Sequence, residues 1–77
     1  MNNIIRSTVE NIIKEEREYG QYMFDYDDYH HDLRIMADCL DIDLVWNEDD
    51  EEWSFPSKEL EEYTKEALEY YYKMKGI

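Results

Sequence analysis

The chain has 77 residues, of which 21 are Asp or Glu and eight are Lys or Arg, so its formal net charge is −13. This charge excludes nucleic acid and anionic membranes as direct ligands and predicts a basic protein partner. Because 43% of the residues are hydrophobic and 16% aromatic, we expect a single small folded domain over residues 1–77 rather than a disordered acidic tail.

The first predicted element is an amphipathic helix over residues 3–19. Ser7 and Glu10 have the spacing of a capping box, so the regular part of the helix could begin as late as residue 8. Gly20 is suited to end it, because glycine adopts the left-handed conformation at little cost. The aliphatic face follows the spacing i, i+4, i+7, i+8. It consists of Ile5, Val9, Ile12 and Ile13.

A second helix is predicted over about residues 27–40. The preceding segment 21–28 could be a loop or the beginning of this helix. Asp25 or Asp27 could cap the helix, since a carboxylate accepts hydrogen bonds from the free amides of the first turn. The apolar stripe of the helix consists of Tyr29, Leu33, Met36, Ala37 and Leu40.

After Asp41 the apolar residues alternate with a period of two, which is typical of a β-strand. The alternation covers residues 42–46 and returns at 53–55, on the other side of the acidic run NEDDEE. The two runs predict a β-hairpin with a loop around 47–51. In the alternative interpretation, residues 42–55 are irregular and the protein is a three-helix bundle with an acidic loop.

The third helix is predicted over residues 57–75. Ser57 follows Pro56 and is a good N-cap, and Gly76 is suited to end the helix. Glutamates near its start and lysines near its end match the helix dipole. The predicted fold is therefore a small α+β domain with the order α-α-β-β-α. The apolar stripe of the third helix consists of Leu60, Thr64, Ala67, Leu68, Tyr71 and Met74.

The single cysteine and the two histidines are not expected to carry out chemistry. Cys39 is predicted to be a buried or half-buried filler whose thiol pKa is raised by the surrounding acids. His30 and His31 are adjacent on a helix, so their side chains point about 100° apart and we expect surface histidines rather than metal ligands. Since the sequence also contains no nucleotide-binding glycine loop, zinc spacing or catalytic triad, we expect neither an enzyme nor a metal or cofactor site.

The sequence also indicates a compartment. It contains no apolar run of about 18 residues and no basic N-terminal region followed by an apolar stretch. A single cysteine cannot form an internal disulfide, which favours a reducing environment. We therefore expect a cytoplasmic protein.

The negative charge is concentrated in the middle of the chain. Residues 18–62 contain sixteen acids and two bases, Arg34 and Lys58, which leaves a net charge of −14. Residues 1–17 are neutral and residues 63–77 carry +1. Because repulsion between like charges opposes folding, this uneven distribution predicts a binding surface on a scaffold rather than a uniform acidic coat.

The tyrosines of residues 19–29 alternate with aspartates and allow two interpretations. They could complete the small core, or they could contribute to a protein interface, where tyrosine is a frequent anchor. Tyr72 lies outside the stripe of the third helix and is predicted to be exposed, whereas Tyr71 is predicted to be buried.

By its size, charge, single cysteine and the runs YMFDYDDYHHD and WNEDDEEW, the chain resembles, as a class, the small acidic DNA-mimic inhibitors of phages and mobile elements. This class includes anti-CRISPR and anti-restriction proteins. The resemblance implies an inhibitor that occupies the basic nucleic-acid groove of a host protein, such as a restriction enzyme or a Cas nuclease, with a Cas9-type effector as the expected target. The alternative is an acidic adaptor or antitoxin-like module with one basic partner. In either case the protein could be a monomer or a homodimer.

The expected partner-binding residues are acids that helical or strand spacing arranges in rows, together with two aromatic residues. They are Asp25, Tyr26, Asp27, Asp28, Asp32, Asp38, Asp41, Asp43, Trp46, Glu48, Asp49, Asp50, Glu51 and Glu52.

Overall fold

The computed structural model describes residues 2–76. It confirms the α+β fold and the order α-α-β-β-α, so the three-helix alternative is wrong. In this part of the chain no helix is long and apolar enough to cross a membrane. The elements are α1 (Asn3–Tyr19), α2 (Tyr29–Cys39), β1 (Val45–Asn47), β2 (Glu52–Ser54) and α3 (Lys58–Lys75).

Helix α1 begins before the position suggested by the capping box. Asn2 is the N-cap, and its side-chain Oδ1 accepts a hydrogen bond of 2.7 Å from the amide of Ile4. At the other end Gly20 adopts φ 66°, and its amide donates to the carbonyl oxygen of Glu16 at 2.8 Å. The predicted stop at Gly20 is confirmed.

Helix α2 is capped by Asp28, and not by Asp25 or Asp27. The Asp28 carboxylate accepts the amide of His31 at 3.1 Å, which satisfies a free donor of the first turn. The helix ends in a Schellman motif, in which Asp41 takes the left-handed position with φ 59° and the Ile42 amide donates to the Ala37 carbonyl at 2.9 Å.

The predicted hairpin is confirmed as two short antiparallel strands. Trp46 faces Trp53 across the ladder, with the ring centroids 5.2 Å apart in an edge-to-face arrangement. The loop between the strands is organised by Asn47, whose side-chain oxygen accepts the amides of Asp49 at 3.0 Å and Asp50 at 3.4 Å. This side-chain acceptor replaces the Asn-Gly turn that the sequence lacks.

The core lies between the three helices, because α1 and α2 both pack against α3. The apolar face of α1 is buried as predicted. On α3 the prediction is confirmed for Tyr71, which is fully buried, but Met74 is 51% exposed. Lys75, one turn beyond Tyr71, takes the inward position instead because its ammonium group donates to buried Glu16 at 3.2 Å.

Candidate protein-binding surface

Asp32 is the main correction to the predicted binding residues, because its side chain is fully buried. One carboxylate oxygen accepts the amide of Asp25 at 2.8 Å. The other accepts the amide of Tyr26 at 3.0 Å and the hydroxyl of Tyr72 at 2.6 Å. Asp32 therefore holds the loop before α2 against the helices and has no free oxygen to offer a partner. Tyr72 is half-buried for the same reason, and not exposed as predicted.

Tyr26 is also directed inward. Its backbone is left-handed, with φ 68°, and its ring is half-buried. Its hydroxyl lies 2.9 Å from the hydroxyl of Tyr71, which in turn donates to the buried carboxylate of Glu16 at 2.5 Å. Because the Tyr71 proton is used on Glu16, Tyr26 donates to Tyr71. The prediction of Tyr26 as an aromatic contact is corrected, since its polar end closes an internal network.

The internal network keeps its tyrosines protonated. Burial raises the pKa of Tyr71 well above its ordinary value of 10.0, and the hydrogen bonds to Glu16 and Tyr26 raise it further. The pKa of Tyr72 is raised in the same way by burial and then by its bond to Asp32. Both hydroxyls therefore remain hydrogen-bond donors to the buried carboxylates at neutral pH.

Some tyrosines of the segment 19–29 belong to the core and others are exposed, as a protein interface would require. Tyr19 is 70% exposed and Tyr22 is 60% exposed, and the ammonium group of Lys75 lies 4.9 Å from the Tyr22 ring centroid. Tyr29 is 39% exposed. The segment is anchored by Phe24, which is buried against Tyr71 with a centroid distance of 4.4 Å.

With the loop before α2 fixed in this way, the other predicted acids face solvent. The structure places them on the loop before α2, on the end of α2 with the following connection, and on the hairpin with its loop. The eleven exposed acids are Asp25, Asp27, Asp28, Asp38, Asp41, Asp43, Glu48, Asp49, Asp50, Glu51 and Glu52. We call this set the acidic surface.

A groove of about 790 Å³ runs between α2 and the hairpin, and we call it the α2–hairpin groove. Two acids of the acidic surface line it, Asp38 and Asp43, together with Arg34 and His31. Asp25 lies nearby, with its carboxylate 3.9 Å from Nε2 of His31. The apolar lining consists of Met23, Ile35, Ile42, Leu44 and Trp53.

A second groove of about 700 Å³ lies along Trp46 and Trp53, which line it together with Glu51 and Glu52. Trp46 is 47% exposed and Trp53 is 48% exposed. The structure therefore places Trp46 beside exposed acids, and its contact with a partner stays a prediction. The sequence did not identify Trp53 as part of the same surface.

His30, His31 and Cys39 all lie on α2. His30 is exposed and His31 half-buried, and residues 2–76 contain no group of three His, Cys, Asp or Glu side chains placed to hold a metal ion. Cys39 is half-buried as predicted. Burial raises its thiol pKa to about 11, and the charges of Asp38, Glu15 and Asp41 contribute in the same direction.

Two buried acids, Glu16 and Asp32, were not recognised in the sequence as internal anchors. A signal was present, because Glu16 lies i+4 from Ile12 and Asp32 lies i−4 from Met36, which places both acids on apolar helix faces. An acid at such a position needs internal donors if it is to be buried.

Comparison of the chain with protein-family models, curated proteins and solved structures finds no match in any of the three.

Proposed function

We propose that this protein inhibits a nucleic-acid-binding protein by occupying its basic groove in place of the nucleic acid. The observation that carries the proposal is the uneven distribution of the exposed acids along the chain. The acidic surface consists of eleven exposed carboxylates between residues 25 and 52, whereas the sequence on either side of residues 18–62 is close to neutral.

Electrostatics favours this mode of binding. A groove that binds DNA gains much of its affinity by releasing condensed counterions from a row of phosphates. The protein is 40 Å long, a distance that corresponds to about twelve phosphates along one strand at 3.4 Å each. The eleven exposed carboxylates give such a groove many negative groups to bind in place of phosphates. In its most specific form, the proposal is an anti-CRISPR protein that acts on a Cas9-type effector.

A second candidate function is supported by the α2–hairpin groove. Phosphate mimicry is achieved by arranged negative charges and does not call for an apolar groove, but this groove is lined by five apolar side chains. An apolar groove with charged residues around it is typical of protein–protein recognition. The alternative is therefore an acidic adaptor or antitoxin-like module that binds one basic partner without displacing nucleic acid.

Competition distinguishes the two functions. A guide-loaded Cas9-type effector and a fluorescent duplex that carries its PAM are mixed with increasing amounts of the protein, and fluorescence anisotropy reports the bound duplex. Mimicry predicts that the duplex is displaced. It also predicts that the affinity of the protein for the effector falls steeply between about 50 and 200 mM salt. If the duplex and the protein bind this effector together, mimicry of its DNA is wrong and the adaptor is favoured.

A pair of charge-reversal variants tests whether the position of the acids matters. The triple variant Asp49→Lys, Asp50→Lys, Glu51→Lys is expected to abolish displacement. The matched control Glu10→Lys, Glu15→Lys, Glu66→Lys changes the net charge equally at exposed positions outside the acidic surface, and it is expected to retain most of the displacement. Equal loss in both variants would show that only total charge matters.

A further inference from the structure

We propose that the α2–hairpin groove docks an amphipathic basic segment of the partner protein through its large apolar side chains. This inference builds on the proposed function and adds to it a second recognition element. The acidic surface would attract the partner, and the groove would determine where the partner is held.

The first argument is the apolar surface that the fold leaves open in this groove. Met23 and Trp53 both line it, and each is 48% exposed. Leu44, in the connection before β1, also lines it and is half-buried. A domain with a thin core gains by burying such side chains, so their common exposure around one concave surface indicates a docking site. The volume of about 790 Å³ can hold several side chains of a partner.

The second argument is the charge of the groove. Asp38, in the last turn of α2, and Asp43, in the connection that follows, line it, and Asp25 lies beside His31. Arg34 also lines it and is, with Lys58, one of the two Lys or Arg residues of residues 18–62. A segment rich in Arg and Lys can pair with the two aspartates while an apolar side chain enters between Leu44 and Trp53.

The same charge excludes other occupants. A second copy of this chain would bring another net charge of −13 and its own acidic surface to the contact. An anionic membrane is repelled for the same reason. The chemistry that fits is an amphipathic basic segment, for which apolar contact supplies affinity and opposite charge supplies orientation and association rate.

The experiment uses a labelled helical peptide that is rich in Arg and Lys and carries two leucines one turn apart. A matched peptide has serines at the two leucine positions. Anisotropy at physiological salt is expected to show binding of the leucine peptide at least tenfold tighter than that of the serine peptide. Equal binding of the two peptides would overturn the inference, because charge alone would then explain it.

Three variants map the contact onto the groove. Leu44→Ser is expected to weaken the binding of the leucine peptide about tenfold without affecting the binding of the serine peptide. Asp43→Lys should weaken the binding of both peptides, whereas Arg34→Glu should strengthen the binding of both. This pair of opposite responses from one groove is not expected from a loss of folding, and thermal melting of each variant provides the control. Unchanged binding in Leu44→Ser would place the peptide elsewhere and overturn the inference.

The outcomes separate this inference from the proposed function. If Leu44→Ser no longer binds the leucine peptide but the protein displaces no duplex from the effector, the docking groove is retained and mimicry of that effector's DNA is wrong. If the protein still displaces the duplex and the groove variants bind the peptides unchanged, the mimicry is retained and the proposal of a docking groove is wrong.

Discussion

The exposed carboxylates of the loop before α2 and the Asp32 carboxylate of α2 show two opposite uses of the same chemical group. Asp32 is fully buried and accepts three hydrogen bonds, whereas Asp25 and Asp27 are exposed a few residues earlier in the chain. The buried acid holds the loop in place, and the loop carries the exposed acids. The comparison teaches that the acidity of this protein is partly structural, so net charge alone overstates the binding surface.

A substitution of the buried acid should produce the largest effect. Asp32→Ala leaves two backbone amides and the Tyr72 hydroxyl without their acceptor, and we expect the free energy of unfolding to fall by about 3 kcal/mol. Asp32→Asn keeps one acceptor oxygen and should lose about half as much. Urea denaturation followed by circular dichroism measures both values.

The matched control is Asp49→Ala, which removes an exposed acid from the hairpin loop. Since no side-chain hydrogen bond to the Asp49 carboxylate is present in the described part of the chain, the change is expected within about 0.5 kcal/mol of the parent. If Asp32→Ala and Asp49→Ala have equal effects, the contrast between buried and exposed acids is wrong.

Alkaline pH tests the donors of the internal network. The folded state raises the pKa of Tyr71 and Tyr72 above their ordinary value of 10.0, and that of Cys39 from 9.0 to about 11. A group whose pKa is higher in the folded state binds its proton more tightly there, so its contribution to stability is complete below the unfolded pKa. We expect stability to be steady up to about pH 9 with respect to these three groups, and then to fall as the pH rises further.

The measurement for this prediction is urea denaturation at a series of pH values from neutral to about 11. Tyr72→Phe removes one of the titrating groups and should make the alkaline decline shallower, although this variant is less stable at neutral pH. An identical decline in the variant would argue that Tyr72 does not titrate differently in the folded protein.

The smallest expected effect concerns an exposed acid with a strained backbone. Asp41 occupies the left-handed position of the Schellman motif at φ 59°, where glycine avoids the clash of a Cβ atom. Asp41→Gly should therefore stabilise the protein by about 0.5 kcal/mol, because the relief of strain exceeds the entropy that glycine adds to the unfolded chain. A rise in the melting temperature checks this.

Glu66→Gly, at an exposed acid in the interior of α3, provides the opposite control. It should destabilise the protein by about 0.5–1 kcal/mol, since glycine is a poor residue within a helix. A destabilised Asp41→Gly variant would show that the Asp41 side chain contributes more to the native state than its backbone strain costs.

Much of the local structure was predictable because short-range physics determines it. The start of α3 at Ser57, the ends of α1 and α3 at Gly20 and Gly76, and the apolar face of α1 followed from capping and helical periodicity. The hairpin followed from the change of period after Asp41. These features depend on residues within a few positions of one another, so the sequence pattern is sufficient to identify them.

The errors concern residues whose environment comes from distant parts of the chain. Asp32 and Tyr72 were both assigned to the surface, yet they contact each other from α2 and α3. Tyr26 was predicted to contact a partner, yet its hydroxyl meets Tyr71 on α3. Periodicity indicates which face of a helix is apolar, but it does not say which polar groups another helix brings to that face.

By itself the sequence determined the order of elements, most of their ends and the concentration of acid between residues 18 and 62, since each depends on local composition or spacing. Only the tertiary structure decided which carboxylates are inside, because a buried charge is tolerated only where donors from other elements converge on it. The α2–hairpin groove is also a tertiary feature, formed where a helix and a hairpin leave five apolar side chains around one concave surface.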